Sequence, residues 1–500
     1  MTGSRFNADP SMGRRELLMR LAAISSTLFT GCASRHSGRA QSQGGTPDWP
    51  SLQKRIQGRA VPLGAVNYEE NRRAMVWNAV KPERFPDAIV RVKSEADVRE
   101  SVRFARQHNL KVGVRGGGHH WHNPALRQGG LLLDLSGLNR LQVDAQHRTA
   151  VVQPGVTGAM LMANLAPHGL AFPVGHEGPV ALSGFLLNGG LGWNYRVWGP
   201  SCSSIEAIDL VDAHGESIRA DRDHNADLFW AARGAGPGFF GVVIRFHLRV
   251  YPLPRAILQS SLTYGIQDID KVAAWLPQLM RSVPLNVELG CRGVAGRGDA
   301  RNLIISAHAF ADTIPAARDA LGAFEAVPAG ITALDRNLYD QLSVEDVFGR
   351  VTTEADKGPR CRGESVWSNA SPDVMLSNIG AGIRAAPSRP DQASFAGLGL
   401  LWLDRNSGQQ PDMAFSMSGS IYAGAYTLWT DATRDAANTA WVRDAMTALE
   451  PLKVGHYVGE NDLRVAPDRA KQCFSPSAWD KLVRLKREYD PEDLFFSFMR

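Results

Sequence analysis

The sequence predicts an α+β protein built from two domains, with a separate segment at its N-terminus. The 500 residues exceed what one ordinary hydrophobic core accommodates. Residues 88–115 show strand, helix and strand patterns in turn, whereas from about residue 256 glycine clusters become rare and longer helices and strands begin. The apolar fraction of 44% and the charged fraction of 21% are typical of a folded globular protein.

The first 32 residues resemble an export signal. Arg14 and Arg15 precede an apolar run from Leu21 to Phe29, which ends in small residues. This order is typical of a cleavable signal, and the paired arginines indicate the twin-arginine route, which exports folded proteins. The stretch "FTGC" also resembles a lipoprotein cleavage box, in which Cys32 would carry a lipid anchor. We therefore expect an exported protein that is either periplasmic or a membrane-anchored lipoprotein.

The basic excess lies in this N-terminal segment. Residues 1–40 contain six arginines but only Asp9 and Glu16 as acids, which accounts for +4 of the formal charge of +5. A nucleic-acid-binding protein needs its basic excess on the folded body. The charge distribution therefore excludes nucleic acid as a partner.

The folded body follows a segment at residues 33–65 that we assign as a linker, because its first part is rich in Ser, Gly, Gln and Pro. The strand "AIVRV" precedes a helix with Ser94 as its N-cap and Asp97 three residues later, which predicts a capping box. The strand "LKVGVR" completes a β–α–β unit. Further on, "LQVDAQHRTAVV" and "IEAIDLVDAHGESIRAD" predict strand pairs, and "TGAMLMANLAPHG" predicts a helix.

Gly236, Gly238 and Gly241 form a literal G-x-G-x-x-G. The dinucleotide fingerprint requires a strand before this motif and a helix after it. Here the helix-like "ADLFWAAR" precedes the glycines and the strand-like "VVIRFHLRV" follows them. The reversed order excludes a Rossmann nucleotide site.

The second domain is predicted to contain one sheet with helices. "LGLLWLD" and "MAFSMSGSIYAGAYTLWT" predict strands, and "RDAANTAWVRDAMTALEPL" predicts an amphipathic helix. Alternation along these strands would turn some of their aromatic side chains toward a bound ligand. These aromatic residues are Trp402, Phe415, Tyr422, Tyr426 and Trp429.

The stretch "VRGGGHHWHN" combines three glycines with three histidines. Imidazoles are good metal ligands, but successive side chains of an extended segment point to opposite sides, and no further ligand is evident, so we expect no metal. Glycines directly after a strand instead allow backbone N–H groups to converge on an anion, with Arg115 adding charge. A second loop with Gly184, Gly189, Gly190 and Gly192 would suit the other end of a diphosphate ligand. A surface loop without function is the remaining alternative.

The segment "RGGGH" is similar to the xGGH motif of the vanillyl-alcohol oxidase superfamily, especially its berberine bridge enzyme-like flavoproteins. "AVVQPGV", "GLGWNYRVWGPSCSSIEAIDLVDAHGE", "NADLFWAARGAGPGFFGVV" and "YDPEDLFF" follow the pattern of that family in the same order. The resemblance implies a two-part FAD-binding domain, formed by residues 66–255 and a C-terminal return at 455–500. It also implies a substrate-binding domain at 256–454, with an antiparallel sheet covered by helices.

The resemblance also implies the cofactor site. The motif histidine of the family binds FAD covalently, which assigns this role to His119. Members with a second covalent bond carry a cysteine in a G-x-C-P-[TS]-V-G stretch, and the corresponding "GHEGPVA" has Glu177 in its place, so we expect a single link. The other residues expected at the cofactor are Arg115, Gly116, Gly117, Gly118, His120, Gly178, Pro179, Ser183, Gly184, Gly189, Gly190, Gly192, Gly238, Gly241, Val243 and Asn461.

Two residues are candidate catalytic bases. Tyr457, in "HYVGEND", matches the tyrosine of the family's C-terminal N-Y motif, with His456 in place of the asparagine. A phenol titrates near ~10, so this role requires a neighbouring cation or the flavin to lower the pKa of Tyr457. Glu177 is the second candidate, either as a base or as a capping carboxylate.

The function that the resemblance implies is oxidation of a small alcohol-type substrate, with a carbohydrate or a secondary metabolite as the expected class. Hydride would pass to flavin N5, and O2 or another electron acceptor would reoxidise the flavin. Val180, near the family's oxygen-access position, favours an oxidase. An exported, non-catalytic binding protein on the same fold is the alternative from a different class.

Overall fold

The computed structural model describes residues 47–296, 300–328, 330–349, 359–387, 395–404, 411–463 and 468–499. The predicted twin-arginine signal and its Cys32 lie outside the described residues, so export and lipidation stay predictions. Within the described ranges, no helix combines the length and the apolar character needed to cross a membrane.

The predicted linker at residues 33–65 is wrong in its second half, which belongs to the fold. Helix α1 (Trp49–Arg55) buries Leu52 completely, and strand β1 (Arg59–Pro62) pairs antiparallel with the next strand. Between α1 and β1, two backbone N–H groups donate to the carboxylate of Asp97 at 2.9 and 2.8 Å. The segment is held by one buried side chain and one distant carboxylate, which composition does not reveal.

The first sheet positions the glycine-rich loop. Its further strands are β2 (Ala88–Arg91), β3 (Val112–Arg115) and β4 (Leu131–Asp134), and its helices are α2 (Tyr68–Ala74) and α3 (Glu95–Gln107). The strands lie in the order β1-β2-β4-β3, with β2, β4 and β3 parallel. The predicted β–α–β unit and its capping box are confirmed, since α3 joins β2 to β3 and Ser94 and Asp97 cap each other. Parallel strands place the loop after β3 at one edge of the sheet.

The second sheet is antiparallel and lies in the order β5-β6-β10-β8-β9. A short separate pair joins β7 to β11. The predicted order around the G-x-G-x-x-G is confirmed, because a helix precedes it and a strand follows it. The strands are β5 (Leu141–Asp144), β6 (Thr149–Val152), β7 (Leu170–Ala171), β8 (Ile205–Val211), β9 (Ser217–Asp221), β10 (Val242–Arg249) and β11 (Tyr251–Pro252). The helices are α4 (Gly158–Leu165), α5 (Leu182–Leu187), α6 (Tyr195–Trp198) and α7 (Ala226–Ala232).

The third sheet confirms the predicted antiparallel sheet covered by helices. Its strands are β12 (Ala256–Gly265), β13 (Val287–Ala295), β14 (Arg301–Ala311), β15 (Asp335–Leu342), β16 (Arg360–Ser368), β17 (Phe395–Trp402), β18 (Ile421–Trp429) and β19 (Lys453–Gly455). They lie in the order β15-β12-β14-β13-β17-β18-β16-β19, with antiparallel neighbours throughout. The helices are α8 (Ile269–Ser282), α9 (Ile314–Ala320), α10 (Val344–Phe348), α11 (Pro372–Arg384) and α12 (Asp435–Leu449). Apolar side chains of α8, α11 and α12 share one core with this sheet.

The last described segment returns to the first sheet. It contains α13 (Asp468–Lys471) and α14 (Pro476–Tyr489). Beyond α14, the backbone N–H of Val112 donates to the carbonyl of Leu494 at 2.8 Å, and the N–H of Phe496 donates to the carbonyl of Val112 at 2.9 Å. Residues 494–496 therefore extend the first sheet beside β3.

Candidate active site

The loop after β3 has room only for glycine. A Cβ at Gly116 would lie 2.0 Å from Ser183 Oγ, and a Cβ at Gly117 would lie 2.8 Å from the Cβ of Ala181. Gly118 has φ +68°, and a Cβ there would lie 2.2 Å from the carbonyl oxygen of Met75. Real Cβ contacts are longer than any of these distances. A side chain at Gly117 or Gly118 would displace the loop, whereas one at Gly116 would displace the hydroxyl of Ser183. The three glycines let the backbone pass closely between α2 and α5.

Arg115 holds this loop in place. Its guanidinium pairs with the buried Asp134 at 2.6 Å and donates to the carbonyls of Met75, Gly116 and Gly117 at 2.9, 3.1 and 2.8 Å. Most of its donors are therefore engaged by the protein, and the expectation that Arg115 adds charge near a diphosphate stays a prediction. At the cavity wall, Arg115 has a structural role, because its hydrogen bonds fix the glycine loop.

Replacement of Asp134 by asparagine should destabilise the protein by about 3–5 kcal/mol, since it leaves the buried Arg115 without its countercharge. Side chains of Asp134 and Arg115 are only 1% and 11% exposed. The free energy of unfolding, measured by urea titration, tests this. The control is Glu488→Gln at the exposed pair with Arg484, where we expect a change below about 0.5 kcal/mol. Equal effects of the two substitutions would contradict the assigned clamp.

His119 is a neutral, oriented imidazole. Its ring stacks on the indole of Trp77 with 4.6 Å between centroids and 20° between planes. The indole N–H of Trp77 donates to the carbonyl of His119 at 2.6 Å. Burial lowers the pKa of His119 to about 4. At physiological pH the ring therefore carries a lone pair and can act as a nucleophile.

The next two histidines, His120 and His122, make hydrogen bonds that hold the loop in place. Nδ1 of His120 accepts the backbone N–H of His122 at 3.1 Å, and Nε2 of His122 donates to the carbonyl of Gly363 at 2.9 Å. Burial lowers the pKa of His120 to about 3 and also lowers that of His122. His122 thus joins the glycine loop to the third sheet through β16.

A cavity of about 340 Å³ runs beside the glycine loop, a size typical of ligand sites. Its walls come from the loop, from the segment around α5, from the turn before β10 and from residues 457–460 and 495–496. The predicted site residues that line it are Arg115, Gly116, Gly117, Gly118, His119, His120, Glu177, Ser183, Gly184, Gly241, Val243 and Tyr457. The structure thus brings predicted residues that are far apart in the sequence together at one cavity.

The remaining predicted residues lie outside the cavity lining, and their contact with the cofactor stays a prediction. They are Gly178, Pro179, Gly189, Gly190, Gly192, Gly238 and Asn461. Several of them are closely packed: a Cβ at Gly192 would lie 2.1 Å from the carbonyl of Pro173, and one at Gly238 would lie 2.4 Å from Met499. The amide of Asn461 donates to the carbonyls of Ser365 and Tyr457 at 3.0 and 2.8 Å.

Tyr457 lines the cavity, but its surroundings do not favour a base. The side chain is buried, and its hydroxyl oxygen accepts the backbone N–H of Gly190 at 3.3 Å. Burial and then the carboxylate of Glu460 raise the pKa of Tyr457 well above its ordinary value of 10.0. The protein therefore shifts the pKa in the direction opposite to the one that the predicted role requires.

Glu460 is a cavity residue that the sequence reasoning missed, although it follows Tyr457 by only three positions. Its Oε2 accepts hydrogen bonds from the hydroxyl of Tyr426, at 2.6 Å, and from that of Tyr422. Burial raises the pKa of Glu460, and hydrogen bonds from these tyrosines and from Trp121 oppose that shift. Through these hydrogen bonds, Glu460 connects strand β18 of the third sheet to the cavity.

The aromatic residues predicted on strands of the third sheet divide between the cavity and the hydrophobic core. Tyr422 and Tyr426 share one face of β18 and reach Glu460, as strand alternation allows. Trp429 is buried, and its indole N–H donates to Asp435 at 2.8 Å. The prediction of a strand at Phe415 is wrong, because this residue lies in the loop before β18.

His176 and Glu288 form another pair that the sequence reasoning missed. His176 lines the cavity beside Glu177, and its Nε2 lies 2.6 Å from Oε1 of Glu288 on β13. The stretch "GHEGPVA" contains the signal for His176, because two titratable residues adjoin there. Glu288 lies 112 positions away along the chain, and nothing in the sequence indicates the pairing.

The comparisons with known proteins identify the family. A family described as "FAD binding domain" matches residues 86–221, which include His119 and Ser183. The FAD-linked oxidoreductase nodO of Hypoxylon pulicicidum is 31% identical over 428 residues, which cover 85% of this chain and 93% of the relative. The chain belongs to the FAD-linked oxidoreductases. Its fold is that of solved structures that include a BBE-like protein, as the sequence motifs led us to expect.

Other relatives agree with the fold of this oxidoreductase. The (R)-6-hydroxynicotine oxidase of Paenarthrobacter nicotinovorans is 27% identical, with 84% of this chain and 92% of the relative covered. The structure of 6-hydroxy-D-nicotine oxidase from Arthrobacter nicotinovorans has a TM-score of 0.77 at 23% identity, covering 88% and 96% of the two chains. Physcomitrella patens BBE-like 1 also has a TM-score of 0.77, at 19% identity, covering 90% and 98%. The protein is therefore an FAD-dependent oxidoreductase.

The cavity of the oxidoreductase fits FAD in its chemistry. Ser183 Oγ, Asn188 Oδ1 and His120 Nε2 are buried at the cavity without a hydrogen-bond partner among the described residues. Buried polar atoms are normally hydrogen-bonded, so these three are available to a bound polar ligand. Together with the loop that only glycine fits, they provide donors and acceptors beside a close approach of the backbone. Ser183, Asn188 and the glycine loop would hold the cofactor.

Proposed function

We propose that the oxidoreductase holds FAD through one covalent bond to His119 and oxidises a small alcohol-type substrate. The observation that carries this proposal is the half-buried imidazole of His119 at the wall of the cavity, with a lowered pKa, directly after three tightly packed glycines. A single bond is supported because Glu177 occupies the cysteine position. The nearby Cys202 is buried, with its Sγ 3.6 Å from Sδ of Met413, and is not part of the cavity lining.

FAD held by Ser183, Asn188 and the glycine loop would supply the oxidant for hydride removal, with O2 or another acceptor as the final electron acceptor. The chain's own residues orient the substrate and handle its proton. Glu177 and Glu460 line the cavity, and their carboxyl oxygens suit the hydroxyl groups of a carbohydrate or a similar secondary metabolite. Val180 also lines the cavity, and the oxidase name of one relative supports O2 as the acceptor.

Acid precipitation and substrate screening test this function. The purified protein is denatured in acid, and we expect the yellow colour to stay with the pellet. In a separate experiment, native protein is mixed anaerobically with D-glucose, vanillyl alcohol or (R)-6-hydroxynicotine, and bleaching of the flavin absorption is recorded. Bleaching by an alcohol supports the proposal, and H2O2 formed on admission of air supports an oxidase. A protein that binds FAD but is bleached by none of the alcohols would contradict the proposed substrate class. A folded protein without flavin would favour a binding protein.

Trp77 should determine how fast the covalent bond forms. In Trp77→Ala the imidazole of His119 loses its stacking partner, and the backbone carbonyl of His119 loses its hydrogen-bond donor. We therefore expect slow or incomplete retention of flavin in the acid pellet. Trp77→Phe keeps a ring for stacking and should recover most of the retention. The time course after addition of FAD to flavin-free protein is the measurement. Equal rates in the wild type and Trp77→Ala would contradict this role.

A further inference from the structure

The carboxylate of Glu288 is fixed at the boundary between the third sheet and the cavity. It is buried, with 5% of its side chain exposed, and Oε2 accepts the backbone N–H of Asn194 at 3.1 Å. Oε1 lies 2.6 Å from Nε2 of His176. Both oxygens are therefore used: the bond to Asn194 fixes the carboxylate, and Oε1 holds one edge of the imidazole.

The opposite edge of the His176 ring is open. The ring packs against Trp193 with 4.2 Å between centroids, while the side chain stays 35% exposed at the cavity wall. Nδ1 has no hydrogen-bond partner within the described part of the chain. A carboxylate at Nε2 selects the tautomer with its proton on Nε2. The lone pair of Nδ1 is then available toward the cavity.

Charged groups from three segments surround this imidazole. Glu288 faces it from β13, Glu177 adjoins it in its own loop, and Glu460 approaches from the C-terminal segment, while His308 lies beyond Trp193. Burial by itself would lower the pKa of His176, but the attraction of these carboxylates outweighs burial and raises it. The ring is thus a stronger base than a free histidine.

The other candidates at the cavity are less suited to accept a proton. Tyr457 holds its own proton, because its pKa is raised. Oε2 of Glu460 already accepts the hydroxyl hydrogen bonds of Tyr422 and Tyr426. His176 combines a fixed orientation with an unused lone pair at the cavity.

We propose that His176 is the catalytic base of the oxidation and that Glu288 is its positioning residue. The assignment rests on the proposed oxidation of an alcohol. The substrate O–H bond breaks, its proton forms an N–H bond at Nδ1, and its electron pair becomes the second bond of the product carbonyl. The carbinol hydrogen leaves with the electrons of its C–H bond, for which FAD is the oxidant.

Nuclear magnetic resonance of the holoprotein with 15N-labelled histidine tests the pair without any substrate. His176→Gln identifies the resonance. We expect the Nε2–H tautomer and a pKa above the ordinary 6.5 in the wild type, and a lower pKa in Glu288→Gln, where the imidazolium loses its countercharge. His147, which pairs with Asp144 at the surface, is the matched control and should not respond to Glu288→Gln. A His176 pKa that Glu288→Gln leaves unchanged, or a proton on Nδ1, would overturn the assignment.

Turnover of the alcohol that bleaches the flavin gives the second measurement. We expect His176→Gln to lower kcat by about 100-fold, with the flavin content unchanged. In the wild type, kcat/KM should fall as the pH drops below the pKa of His176, because the protonated ring accepts no proton. In Glu288→Gln this acid limb should move to lower pH. Wild-type kcat in His176→Gln would overturn the role of His176, whereas loss of flavin or absence of bleaching in the wild type would instead contradict the proposed function.

Discussion

His119→Ala should release its flavin completely on acid precipitation, whereas the wild type should keep it in the pellet. The substitution removes the nucleophile that would form the covalent bond but leaves the glycine loop, Ser183 and Asn188 to bind FAD reversibly. Turnover should fall by about 100-fold, the cost of a small misplacement of a reacting group. Absorption spectra of pellet and supernatant, together with kcat, provide the measurement.

The control for this substitution is His147→Ala, at an exposed hairpin turn where the histidine pairs with Asp144. It should retain both the flavin and the activity of the wild type. Covalent flavin that persists in His119→Ala would show that another residue forms the bond. A colourless wild-type pellet with yellow supernatant would keep FAD as cofactor but remove the covalent link.

Gly118→Ala should disrupt the site even though it adds only one methyl group. The residue has φ +68°, and its Cβ would lie 2.2 Å from the carbonyl oxygen of Met75. Backbone strain costs about 1–3 kcal/mol, and forced overpacking costs a similar amount, so we expect a loss of about 2–6 kcal/mol in the free energy of unfolding. Relaxation of the loop would also move His119 and thereby prevent flavin retention.

Urea unfolding and the acid pellet measure the two effects separately. The control is Gly322→Ala, since a Cβ there meets no atom within 4 Å and the backbone lies outside the strained region. It should leave the free energy of unfolding and the flavin content at wild-type values. If Gly118→Ala is as stable and as yellow as this control, the close approach at Met75 does not exist in solution.

Local patterns predicted local structure well. The capping box at Ser94 and Asp97 and the helix before β10 follow from neighbouring residues, and the structure has both. The segment at 49–62 was misassigned because its fold depends on the burial of Leu52 and on Asp97, some forty residues away. Composition registers neither interaction.

The same division between local patterns and distant contacts holds for the residues of the candidate site. The glycine loop and His119 are adjacent in sequence, so a short motif was sufficient to find them. Tyr457 was found by its motif, but the direction of its pKa depends on burial between the sheets and on the orientation of Glu460. The partnership of His176 with Glu288 arises only when β13 packs against the cavity. Properties that depend on tertiary packing were therefore out of reach of the sequence.

The pairing of residues 494–496 with Val112 also determines when the cavity can be completed during biosynthesis. Phe495 and Phe496 line the same cavity as His119, although more than 370 positions separate them along the chain. The ribosome completes the glycine loop early, but this wall is present only after residue 496 has been made. Enclosure of the cofactor therefore follows translation of all three sheets and does not accompany the folding of the first sheet.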